Sequence, residues 1–141
     1  MQKLHILLIF ILFSCSYPNR DTEVENQINH IVITSGDDNE IVTLDFNQLK
    51  PEDTWDSLIV YRPFSSVDAD YDFSINSYMD IFHLKQNDMY VVIGFMQKNK
   101  LSSYGLINRN PDLLQILPPN ILYVIFGRND AVFNLMVDKG Q

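Results

Sequence analysis

The spacing of apolar positions changes along this chain, and each change marks an element. Residues 6–13 are an unbroken apolar run of eight, preceded by a single base, Lys3. A membrane-spanning helix needs about 20 such residues. A base, a short apolar segment and then a small residue, Ser14, is instead the pattern of a secretory signal. Further on, Thr22-Glu23-Val24-Glu25 has the spacing of a capping box with Thr22 as N-cap. Val24, Ile28, Ile31 and Val32 recur at helical spacing, so a short helix fits there. The β-branched run Ile31-Val32-Ile33-Thr34 favours a strand from about residue 31, with His30 capping or flanking it.

Residues 35–39 have turn composition. Residues 40–46 alternate, with Val42, Leu44 and Phe46 on one face and Ile41, Thr43 and Asp45 on the other, as in a half-buried strand. Residues 55–64 hold the β-prone core Leu58-Ile59-Val60-Tyr61 and stop at Pro63, which cannot donate to a ladder. Ser65 to Asp68 repeats the N-cap spacing, and Val67, Tyr71 and Ile75 share a helical face. Three β segments follow, at residues 78–85, 89–96 and 100–107, separated by three-residue polar breaks that suit hairpins. Asn110-Pro111 predicts a short helix through residue 117, with Asn110 as N-cap. Residues 121–127 and 131–137 read as a last hairpin about Arg128-Asn129-Asp130. Hairpins with few helices between them predict an α+β fold. The expected domain is a mainly antiparallel sheet of five to seven strands with one or two short helices on one face.

Composition narrows the function classes. The chain has 141 residues and a formal net charge of −8, with 10 Lys+Arg against 18 Asp+Glu. That length is one domain, and the acid excess argues against nucleic-acid binding, whose footprint is basic. The acid is also uneven. Residues 21–80 hold 14 acids and two bases, whereas residues 81–141 hold four acids and six bases. The candidate acidic face comprises Asp37, Asp38, Asp68, Asp70 and Asp72, which could steer a basic envelope protein by long-range attraction. The same charge also serves as a solvated surface.

The sole cysteine excludes an internal disulfide, and its position is informative. Leu12-Phe13-Ser14-Cys15 resembles the lipobox of bacterial lipoproteins. The resemblance implies a diacylglycerol on the Cys15 thiol, cleavage before Cys15 and acylation of the new amino group. Phe13 is bulkier than the usual residue at its position. Several acyl chains, such as palmitate, make an anchor that one chain does not. The implied organisation is a signal peptide at 1–14, a lipid-anchored linker with room for a short helix at 15–29, and the α+β domain at 30–141. Ser16, where an Asp would retain a Gram-negative lipoprotein in the inner membrane, implies the outer membrane, with the domain in the periplasm or at the surface. The mature chain would carry 127 residues and, without Lys3, a charge of −9.

Catalytic and metal chemistry find little support. Asp68, Asp70 and Asp72 fit the first ligands of a calcium loop, but Phe73 and Met79 stand where it needs Gly and Glu. His30 and His83 are 53 positions apart without metal-ligand spacing. No nucleophile elbow and no phosphate-cradling glycine loop occurs. The expectation is a non-enzyme with no metal and no cofactor. In Trp55-Asp56, the Trp ring is expected to bury on the face of Ile59 and Tyr61, and Asp56 to accept from a turn N–H or from the indole N–H of a neighbour. This Trp-Asp pair, followed by Pro63-Phe64-Ser65-Ser66, Lys98-Asn99-Lys100 and Asn108-Arg109-Asn110, resembles small, uncharacterised Gram-negative lipoproteins. That resemblance implies their fold and anchor, and no activity. The expected function is a lipid-anchored binding module of the envelope, of immunity or inhibitor type. A structural envelope component and a calcium-dependent or weakly enzymatic domain are the alternatives.

Overall fold

The structure is a computed structural model and describes residues 18–35, 40–63 and 89–138. The expected helix at 65–75, the expected strand at 78–85 and His83 lie outside the described residues. The rest forms an α+β architecture of two sheets and two helices. Strands β1 (Asn19–Arg20), β3 (Ser57–Tyr61), β4 (Tyr90–Gln97), β5 (Lys100–Asn108) and β6 (Tyr123–Gly127) make a five-stranded sheet in the order β1-β5-β4-β3-β6. Strands β2 (Ile41–Asp45) and β7 (Val132–Met136) pair as a second, two-stranded sheet. The pairs are antiparallel except β1 with β5, which is parallel, so the large sheet is mixed.

Helix α1 (Thr22–Thr34) corrects the expected strand at residue 31. Val24, Ile28 and Val32, each one turn apart, are buried, whereas Ile33 is 77% exposed. The helix stacks these three one turn apart against the core and turns Ile33 outward, and that burial outweighs the β preference of the run. His30 therefore sits on the helix, exposed, and not beside a strand. The N-cap is Asp21 and not Thr22: its Oδ1 accepts from the Val24 N–H at 3.2 Å. Glu25 does not close a capping box, because its carboxylate is used across the sheet. The boundary expected at residue 30 falls inside this helix.

One core lies between the large sheet and the layer made by α1, the β2–β7 pair and the short helix α2 (Phe46–Leu49). As the alternation predicts, Val42, Leu44 and Phe46 point into it. Leu58 and Val60 enter from β3, and Phe95 from β4 stacks edge-on with Trp55 at 5.4 Å between ring centroids. Ile59 and Tyr61 face the other way, into a second cluster with Val92 and Met96. Trp55 thus belongs with Leu58 and Val60 and not with Ile59 and Tyr61. It precedes the strand, and the two-residue period does not extend back to it. On the second face a Cβ at Gly94 would come 2.6 Å from Leu101 Cδ1 and 2.7 Å from Ile59 Cγ2. That contact explains a glycine in mid-strand.

Three turn assignments also change. Gln97 pairs with Lys100, leaving a two-residue turn in which Lys98 and Asn99 have φ of 50° and 62°. No helix opens at Asn110. A 3-10 turn runs over Leu113–Ile116, capped by Asp112, whose Oδ1 accepts from the Leu114 N–H at 3.0 Å. Residues 121–137 are not a hairpin. A 3-10 turn at Arg128–Asp130 carries the chain from β6, paired with β3, to β7, paired with β2.

Candidate functional site

The two ends of the large sheet are built differently. At one end the chain arrives from its N-terminus. Asn19 and Arg20 lie beside Ser103 and Tyr104 of β5, and the Asp21 N–H donates to the Tyr104 carbonyl at 2.7 Å. Arg20 donates through Nε and Nη2 to the two Glu25 oxygens at 2.8 and 2.9 Å. Glu25 Oε1 also accepts from the Leu106 N–H at 2.8 Å. This bidentate partner holds the Arg20 guanidinium above its ordinary pKa, although burial opposes the shift. Next to it, Lys50 Nζ donates to Asp21 Oδ2 at 2.6 Å and lies 5.2 Å from the centre of the Phe95 ring.

The same end is clamped by Arg128. Its guanidinium lies over the Trp55 ring at 4.8 Å and donates to the carbonyls of Pro51, Glu52 and Trp55 at 3.0 to 3.2 Å. It also donates to Asn47 Oδ1 and to Asp53 Oδ1, each at 3.2 Å. Trp55 Nε1 donates to the Lys50 carbonyl at 2.8 Å. Asp56 accepts from the Lys98 N–H at 2.7 Å and from the Ser57 hydroxyl at 2.7 Å. The Lys98 bond first, and then the Ser57 bond, lowers the Asp56 pKa below its ordinary value. The expected turn N–H for Asp56 is therefore the one at Lys98.

An open cleft of about 530 Å³ runs between β1, the start of α1 and β5, past Arg20, Lys50, Gln97 and Ser103. Its two cations are paired: Arg20 holds Glu25, and Lys50 holds Asp21. That leaves Ser103 Oγ, buried with no hydrogen-bond partner. A hydroxyl without an adjacent base is not an activated nucleophile. A second cleft of about 570 Å³ passes Thr22, Asn26, His30 and Leu49. Among the described residues, no three His, Cys, Asp or Glu side chains converge on a metal-sized position.

The opposite end holds the flanks of both Asp-bearing segments. The Val137 N–H donates to the Glu40 carbonyl, the Asp138 N–H to Asn110 Oδ1, and the Arg109 N–H to the Met89 carbonyl, at 2.9 to 3.3 Å. These bonds tie Glu40 and Met89 into one end of the molecule. Asn29 of α1 also meets Asn108 there, at 3.4 Å. Asp37 and Asp38, between Ser35 and Glu40, lie outside the described residues, as do Asp68, Asp70 and Asp72, between Pro63 and Met89. Cys15 also lies outside them.

The residues that organise the described body are Arg20, Glu25, Lys50 and Arg128. Apart from the capping-box spacing that includes Glu25, their sequence neighbourhoods carry no motif. The nearest signal is an isolated base, Arg128, in a turn within a chain that also carries a lone Trp-Asp pair. No described helix is long and apolar enough to cross a membrane. No protein-family model matches the chain, no curated protein matches it, and no solved structure matches it.

Proposed function

We propose that this chain is a lipoprotein of the bacterial envelope, anchored through acyl chains on Cys15, whose domain is a non-enzymatic binding module. The observation that carries the reading is Leu12-Phe13-Ser14-Cys15 at the end of the apolar run, with the chain's sole cysteine at the modification position. The anchor is the outer-membrane type by virtue of Ser16. The module's partner is a basic envelope protein, and an immunity or inhibitor role is its concrete form. Two observations support a binding reading. The two cations of the described cleft are committed to acids of the same chain. The flanks of both Asp-bearing segments also share the end of the sheet remote from Asn19.

Membrane fractionation tests the anchor. Wild-type protein should sediment with the envelope, and Cys15→Ala should be lost from it. Equal sedimentation of the two would remove the lipid anchor from the account.

A further inference from the structure

We propose that the sheet end formed by the β4–β5 turn faces the bilayer, with Lys98 and Lys100 against anionic lipid headgroups. This inference rests on the anchor reading and adds an orientation to it. β1 runs parallel to β5 with Asn19 opposite Ser103, so its backbone direction traces back towards Lys100 and the turn. Ser16, Tyr17 and Pro18 alone separate Cys15 from Asn19. Four Cα steps reach at most about 14 Å. A globule of 127 residues is about 36 Å across. The tether is therefore shorter than half the width of the body. Asn19 is itself fixed by the Arg20–Glu25 pair and the Asp21–Tyr104 bond that follow it. Asn19 faces Ser103, about 10 Å along β5 from Lys100 and about 17 Å from Asn108, so a short tether brings the turn end closer to the surface than the far end.

The charge at this end suits that orientation. Lys98 and Lys100 are exposed and pair with no described acid. The acids nearest the turn are engaged, Asp56 by the Lys98 N–H and Ser57, and Asp53 by Arg128. A mature chain of net charge −9 is repelled by an anionic surface, and turning two free lysines towards it lessens the repulsion. The flanks of both Asp-bearing segments then face away from the lipid.

Lysine footprinting with a water-soluble amine reagent tests the orientation. Full-length protein matured in a lipoprotein-producing bacterium is placed in phosphatidylcholine vesicles, with and without phosphatidylglycerol. In parallel, unlipidated mature protein is coupled through its Cys15 thiol to a maleimide lipid in the same vesicles. On phosphatidylglycerol, Lys98 and Lys100 should react at least about threefold more slowly than in free protein, as expected of side chains drawn into the headgroup region. Lys139, next in sequence to Asp138, should react at its free rate. Neutral vesicles should protect the two lysines less. Equal reactivity of Lys98, Lys100 and Lys139 on vesicles overturns the orientation, and equal protection on both vesicle types overturns the headgroup contact. If the bacterium adds no lipid, the anchor reading fails alone, and the maleimide-coupled form still decides the orientation.

Discussion

Arg128 holds three carbonyls, one amide oxygen and one carboxylate, and its cation covers the Trp55 ring. Only a planar fork reaches so many acceptors at once. Arg128→Ala should lower unfolding stability by about 2 kcal/mol, in the range for hydrogen bonds to charged groups. Arg128→Lys should recover less than half of that loss, because one ammonium cannot span the acceptors. Urea melts of the three proteins check this, and a lysine variant as stable as wild type would refute the clamp. Asp56 adds a pH signature. Its folded pKa is depressed, so its contribution is fully present above the ordinary aspartate value of 3.8 and is lost as pH falls through the lower folded value. Asp56→Asn keeps the shape without titrating. The stability gap between wild type and this variant should be largest near neutrality and shrink below pH 3.8. A gap constant with pH would show that the Lys98 bond gains nothing from the charge.

Among the elements, β1 is only two residues long and is held by its short ladder with β5, the Asp21–Tyr104 bond and the Arg20–Glu25 pair. Glu25→Ala would free Arg20 and leave the Leu106 N–H without its acceptor, at a cost of about 1–3 kcal/mol. Amide exchange at Asp21 and Leu106 should then accelerate well beyond exchange in β3. Uniform acceleration would mean global destabilisation and not release of the edge. Alternation made β2 readable as a half-buried strand, and continuous β-prone apolar runs made the core of β3 and β4 readable as strands buried on both faces. Local propensity misread the end of α1, since Ile31, Val32, Ile33 and Thr34 favour extended structure locally. The helix wins only when the sheet is there to receive Val24, Ile28 and Val32. Partner choice was equally hidden. Nothing local to Arg128-Asn129-Asp130 distinguishes a hairpin from a crossing between sheets, because the deciding contacts are with β2 and β3, more than 60 residues earlier. Of the candidate site, a turn N–H is one of the two partners the sequence suggests for Asp56, and it is the one found. The Arg20–Glu25 and Lys50–Asp21 pairs were not foreseen, since long-range charge pairing leaves no periodic trace.

At the scale of the whole molecule, the described body has a tied end and a far end. Asn19, the Arg128 clamp and the β4–β5 turn sit at the first. The flanks of the two Asp-bearing segments sit at the second. If the far end meets a basic partner, neutralising Asp37, Asp38, Asp68, Asp70 and Asp72 to Asn should slow association about tenfold or more at low salt. It should also flatten the dependence on ionic strength. Association kinetics with a partner recovered by crosslinking would report both, and unchanged rates would assign the acid to solubility alone. All of this presumes a tether at Cys15, so the most direct measurement is metabolic labelling with a fatty-acid probe in a lipoprotein-producing bacterium. The account predicts that wild type takes up the label and Cys15→Ala does not. Equal labelling of both proteins, or none in either, would contradict it.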